Sequence, residues 1–308
     1  MLKALEREPR KLLVALGSVA HPPLIVRKSQ DPSKLVLQGE GVRVRRLADG
    51  LSVTRNRRHS ALPQLEMHAP ERFCEMDVRC RSDAHVDCVK EAPLRLHSAN
   101  GSASVASASC EYAALSAAHT VSVRKLSGLA HLRSSHGNVH LQRYIGSFLN
   151  VFAPLGAYHS EATFASDGSI DVGGSEGINI SELRVDGNVN LVCSANGAPI
   201  NIGSVNGKGT LIVVTSNGNI SMQVASLSLN IEVHTHNGNA EVRTGVPMLA
   251  FLRSRGHEQS LTLAYTGEGE QASEDVAQLS IDSGSGEAQV CEQTWAQMME
   301  RKLKTRSR

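Results

Sequence analysis

At 308 residues, 41% hydrophobic and 20% charged, the chain has the material for a buried core and is not a disordered polymer. Aromatic residues make up only 3% of it, its net charge is +2, and no apolar run approaches the roughly 18 residues a membrane helix needs. These values speak against a transmembrane segment, against a nucleic-acid binder that stacks bases on rings, and against a sandwich core filled by large aromatics.

From Met1 to Ala20, Lys3, Arg7, Arg10 and Lys11 alternate with Leu2, Leu5, Leu12, Leu13, Val14 and Leu16. The pattern predicts a basic amphipathic helix, read either as a mitochondrial presequence or as a helix docked on the end of the fold. Glu6 and Glu8 argue against a presequence, so residues 1–34 are assigned as a targeting or capping segment. The location expected is intracellular, with mitochondrial and cytoplasmic readings both open. Residues 1–60 hold 13 Lys or Arg against 5 Asp or Glu, and residues 301–308 hold five more cations. Without interleaved aromatics this charge is read as solvated edges that also guard against strand addition.

Residues 35–64 predict three or four strands around Asp49-Gly50 and Arg57-Arg58, forming a preface or N-terminal cap. From Leu65 to Val290 the strands become regular. Asn100-Gly101, Gly137 and Gly168 are read as successive turns spaced 36 and 31 residues apart, implying long coils there. A phrase then recurs: Asp167-Gly168-Ser169-Ile170, Asp186-Gly187-Asn188-Val189, Asn196-Gly197-Ala198-Pro199-Ile200, Asn217-Gly218-Asn219-Ile220 and Asn237-Gly238-Asn239-Ala240. Asn and Gly tolerate positive φ and make a tight turn, and the alternation behind each pair marks a half-buried strand. Glycines at 187, 197, 207, 218 and 238 stand about 10 or 20 residues apart, the spacing of a stacked repeat.

The fold expected is an all-β single-chain β-solenoid, with stacked coils of about 20 residues or more and two strands per coil. The alternative is an antiparallel β-sandwich or meander. In the solenoid, Asn217 and Asn237 form a ladder of side-chain amides. Residues 253–275 form a polar surface excursion. Over 291–308, Trp295, Met298, Met299 and Leu303 recur at helical spacing and predict a short amphipathic helix that caps the last coil, followed by a basic tail.

Chemistry-bearing patterns are few. Cys74, Cys80, Cys88, Cys110, Cys193 and Cys291 show no Cys-x-x-Cys and no zinc spacing, so buried thiols are expected, with pairing open only among the first three. His131, His136 and His140 lie around a turn, while His234 and His236 are two apart on a strand, a chelating pair without a third ligand. Glu161, Asp171, Glu176 and Asp186 are the only dense acids in the coils, and their spacing forces no acid/base pair together. No catalytic residue, metal site or cofactor is assigned.

The repeated Ser-x-Gly-x-Ile/Val units resemble the adhesin-like β-solenoid domain. More closely, the chain is similar to a eukaryotic family that carries that domain and has no assigned activity. The residues carrying the likeness are Leu65-Glu66-Met67-His68-Ala69-Pro70, Thr215-Ser216-Asn217-Gly218-Asn219-Ile220, and Ser285-Gly286-Glu287-Ala288-Gln289-Val290 followed by Gln293-Thr294-Trp295. The resemblance covers roughly residues 35–300 and implies a fold.

Function follows as a non-enzymatic protein-interaction or scaffold solenoid that presents side-chain rows in fixed register. The densest aromatic cluster, Tyr144, Phe148, Phe152 and Tyr158, is the candidate interface, unless those rings plug the coil interior. A carbohydrate- or polymer-acting solenoid and a self-assembling structural protein are the alternatives.

Overall fold

In the computed structural model every described element is a β-strand. The structure describes residues 75–225, 229–244, 249–255, 258–264, 278–283 and 287–292, with strands at 11–15, 24–28, 36–38, 42–46, 50–55 and 65–69. The chain divides into two compact units, Met1–His159 and Ser160–Arg308. Within each, successive coils pair in parallel, which excludes the sandwich and the meander.

The first unit contains β1 (Lys11–Ala15), β2 (Leu24–Lys28), β3 (Val36–Gln38), β4 (Val42–Arg46), β5 (Gly50–Arg55), β6 (Leu65–Ala69), β7 (Glu75–Cys80), β8 (Ala84–Lys90), β9 (Leu94–Ser98), β10 (Ala103–Ala117), β11 (Val121–Ser134) and β12 (Val139–Ala153). One stack runs β5, β1, β7, β9 and then the second halves of β10, β11 and β12. The other runs β6, β2, β8 and the first halves of the same long strands. Core columns form because each coil puts its apolar residue over the one below: Val78, Leu96, Leu115 and Leu132 are in direct register and buried. Each such side chain contributes about 1.5–3 kcal/mol of burial.

The N-terminal coil departs from sequence order. Leu12 of β1 pairs with Leu51 of β5 on one side and Met76 of β7 on the other, so the first coil lies between the second and the third. The expected helix is therefore a strand over Lys11–Ala15, because its alternating residues fill a slot between two existing strands. Beyond it, β4 pairs antiparallel with β5 and β3 antiparallel with β6, covering the outer edges of that end coil. The basic strand Val42–Arg46 is thus an edge, as its charge pattern implies.

Coils in this unit are shorter than the glycine spacing suggests. His85 and Ser104 are neighbours 19 residues apart, and His136 lies against Ala118, 18 residues back. The interval from Gly101 to Gly137 therefore holds two coils, the intermediate corner being Ala118-His119, which lacks the Asn-Gly signal. Each long strand also bends midway, with a register shift between Ser109 and Tyr112 in β10 and between Ser127 and Ala130 in β11. Gly128 sits at that bend with φ +108, and a Cβ there would strike the Cys110 carbonyl.

The second unit contains most of β13 (Tyr158–Val172), then β14 (Ile178–Val185), β15 (Asn188–Cys193), β16 (Ile200–Gly207), β17 (Gly209–Thr215), β18 (Ile220–Val224), β19 (Leu229–Thr235), β20 (Ala240–Thr244), β21 (Leu249–Arg255), β22 (Glu258–Ala264), β23 (Gln278–Asp282) and β24 (Ala288–Glu292). Two strands make each coil: β14, β16, β18, β20 and β24 form one stack, and β13, β15, β17, β19 and β23 the other. Coil length is 20–22 residues, as the Asn179–Asn201 and Asn217–Asn237 contacts show. The excursion after β20 is an antiparallel β21–β22 hairpin whose second strand covers β23. Gly168 lies inside β13 rather than at a turn. Gly286, Trp295, Met298, Met299 and Leu303, with the predicted C-terminal helix, lie outside the described residues.

The recurrent corner is built differently from a hairpin turn. Gly101, Gly137, Gly218 and Gly238 each give their N–H to a Ser or Thr hydroxyl three residues earlier: Ser98, Ser134, Thr215 and Thr235. Of the Asn-Gly glycines, Gly197 (φ +74) and Gly207 (φ +122) have positive φ, whereas Gly101, Gly218 and Gly238 do not. Gly218 and Gly238 are required instead because a Cβ would run into the carbonyl of the coil beneath, Ala198 and Gly218 respectively. Asn217 stands in the expected ladder, donating to Asn196 at 2.5 Å and accepting from Asn237 at 2.7 Å.

Candidate interaction face

The four aromatics of the Tyr144–Tyr158 cluster separate into two inside and two outside. Tyr144 and Tyr158 are fully buried. The Tyr144 hydroxyl lies 2.7 Å from the Gly128 carbonyl and 2.6 Å from the Phe148 carbonyl, and its single proton serves one of them at a time. It thereby pins the bend of β12 to the bend of β11, and burial pushes its pKa well above the ordinary tyrosine value. As interface anchors, Tyr144 and Tyr158 are ruled out by burial. Two consecutive outward residues, Gln142 and Arg143, rephase the alternation and turn Tyr144 inward.

Phe148 and Phe152 take the outer side. Phe148 lies 5.5 Å from His131, which lies 5.6 Å from Tyr112. Phe152 is 37% exposed with the Arg133 guanidinium 5.4 Å from its centroid, a cation–π distance. On the same two coils and the turn that follows them, Leu129 is 37%, Ile145 47% and Leu155 63% exposed. Leu129, Ile145, Phe152 and Leu155 are the large apolar side chains that stand exposed among the described residues.

A polar row runs across the coils through His85, Ser104, Ser122 and His140, which stand in register. His85 joins Asp87 at 2.7 Å through Nε2 and Ser104 at 2.8 Å through Nδ1, a Ser-His-Asp line that sequence inspection does not place. Ala103, Ser104 and Val105 pair in register with β8 on one side and β11 on the other, so the backbone amides around Ser104 are committed to the sheet. The line ties two neighbouring coils together through side chains. Farther along the row, His140 and His159 stack with centroids 5.0 Å apart and planes inclined by 12°.

The remaining candidates stay dispersed. His131 is on β11, His136 in a turn against Ala118, and His140 on β12. His234 lies 3.8 Å from Glu232 and 3.9 Å from Asp282, while His236 falls past the end of β19. No group of three His, Cys, Asp or Glu side chains suited to a metal occurs among the described residues. Of the four acids, Asp186 pairs with Arg184 at 3.1 Å and Asp171 has Val192 beside it in register. Cys80, Cys110 and Cys193 are buried and, like Cys88 and Cys291, unbridged. Burial pushes the Cys80 and Cys110 thiols up to about 11, the opposite of an activated nucleophile. No helix of the described residues is long and apolar enough to cross a membrane.

No family model and no curated protein matches the chain.

Proposed function

We propose that this protein is a non-enzymatic interaction or scaffold solenoid, and that a protein partner docks on the strip formed by Leu129, Ile145, Phe148, Phe152 and Leu155. The observation that carries the reading is the exposure of Ile145 and Leu155, 47% and 63%, each three residues along the chain from an outward phenylalanine, Phe148 or Phe152. Apolar side chains so placed add nothing to the core and gain free energy only when covered. The antiparallel strands β3 and β4 support this over end-to-end filament growth, since they occupy edges on which another coil would add. The same repeat underlies the likeness to the adhesin-like domain, which we keep as part of this reading.

Unbridged thiols support a reducing compartment. For the N-terminus we favour retention over cleavage, because a leader running to Ala20 would take β1 out of the sheet. The test is quantitative affinity purification of the full chain against Ile145→Ser/Phe152→Ser/Leu155→Ser. A near-stoichiometric protein that disappears with the variant, at unchanged melting temperature, supports the reading. Recovery of the wild-type chain alone overturns it.

A further inference from the structure

Ahead of the bends, two consecutive side chains face outward in each coil: Asp87-Cys88, Ala106-Ser107, Arg124-Lys125 and Gln142-Arg143. In register Ser107 stands beside Lys125, and Lys125 beside Arg143. Adjacent coils are separated by roughly 4.8 Å. Arg124, one residue back, therefore stands beside Gln142, and Arg124, Lys125, Gln142 and Arg143 are all exposed. None of the three cations has a hydrogen bond, ion pair or ring contact among the described residues. By contrast Arg79, Arg95, Arg184 and Arg243 each hold a carboxylate.

Like charges directly opposite one another across a strand pair are destabilising. Lys125 opposite Arg143 is such a pair, and the next residue in that column is a hydroxyl, Ser107, rather than an acid. The block therefore gathers three positive charges, none in an ion pair among the described residues, within two coils of a rigid sheet. We propose that it binds a multiply phosphorylated ligand. Two guanidinium forks suit phosphate oxygens bidentately, the Lys125 ammonium adds a point charge, and Ser107 and Gln142 supply neutral donors. Ile145, two residues past Arg143 and 47% exposed, gives the block an apolar border. The shared chemistry is a cluster of phosphates, carried either by a soluble polyol phosphate or by a phosphoinositide headgroup. The site is separate from the proposed partner strip in its ligand and does not depend on that reading.

The test uses the full chain at physiological ionic strength with two probes. Inositol hexakisphosphate is titrated by calorimetry, and phosphatidylcholine vesicles with and without phosphatidylinositol bisphosphate are tested by co-sedimentation. Arg124→Gln/Lys125→Gln/Arg143→Gln is compared with Arg95→Gln/Arg184→Gln/Arg243→Gln, which removes the same charge from paired arginines. Binding to at least one probe is expected, weakened about tenfold or more by the first variant and much less by the second. Binding to the soluble probe identifies a polyol phosphate, and binding to the vesicles alone a lipid headgroup. No binding to either probe overturns the proposal, as does equal loss in both variants. A polyglutamate peptide binding as tightly as the hexakisphosphate also overturns it, assigning the block to an acidic peptide.

Discussion

The Thr235 hydroxyl accepts the N–H of Gly238 at 3.0 Å and donates to the Gly218 carbonyl at 3.1 Å, closing its own corner and fastening it to the coil beneath. Thr215 does the same with Gly218 and the Ala198 carbonyl. Thr235→Val keeps the volume but leaves a buried N–H and a carbonyl without partners, a cost of about 1–3 kcal/mol. Urea unfolding should show that loss, with Thr235→Ser recovering most of it. Equal stability of the Val variant and wild type would contradict the assignment.

Two glycines of the same Asn-Gly type should respond differently to alanine. At Gly218 the new Cβ meets the Ala198 backbone, so Gly218→Ala should cost about 2–3 kcal/mol of overpacking. At Gly197 nothing lies within 4 Å and only φ +74 is strained, so Gly197→Ala should cost about 1 kcal/mol. Denaturant midpoints of the two variants should fall in that order.

How much of this was legible in the sequence follows from the corners. In the second unit Asn196, Asn217 and Asn237 repeat at coil spacing, so the ladder and the parallel stacking can be read from them. In the first unit the corners are spelled Ser98-Ala99-Asn100-Gly101, Ala117-Ala118-His119 and Ser134-Ser135-His136-Gly137, which stack in register but share little composition, the middle one lacking the hydroxyl-to-glycine bond of the other two. The paired outward residues then shift the period-2 pattern, hiding that Tyr144 points inward while Phe148 and Phe152 do not. The cationic block was findable, since Arg124-Lys125 recurs as Gln142-Arg143 one coil later, but only once that coil length is known.

Tyr144 and Phe152 separate stability from recognition. Tyr144→Phe removes the hydroxyl between the Gly128 and Phe148 carbonyls and should lower stability by about 1–2 kcal/mol. Phe152→Ser, at a 37% exposed site, should change stability by no more than about 0.5 kcal/mol while weakening partner capture. Thermal melts and pull-downs on both variants check the division. A Phe152→Ser chain that unfolds early would assign that ring to the fold instead.

Alkaline pH should destabilise the protein through its buried thiols. Cys80 and Cys110 ionise near 9 when unfolded and at about 11 when folded, chiefly because burial penalises the thiolate. A raised folded value means the contribution is fully present below pH 9 and is lost as pH rises toward 11. The loss is roughly 2–3 kcal/mol for each thiol. Denaturant midpoints from pH 8 to 11 should fall accordingly, and Cys80→Ala/Cys110→Ala should flatten the profile. Iodoacetamide at neutral pH should modify Cys88 and Cys291 well before Cys80, Cys110 or Cys193.

The placement of β1 and β2 sets a timetable for synthesis. Most of the stack can grow coil by coil as the chain leaves the ribosome, since each coil rests on one made about 20 residues earlier. The opening residues are different: Leu12 must wait for Leu51 on one flank and Met76 on the other, and Val26 for Met67 and Val86. A nascent chain shorter than about 90 residues therefore carries its first coil with a flank still missing, and the arrival of β7 and β8 completes that end and opens the template for every later coil.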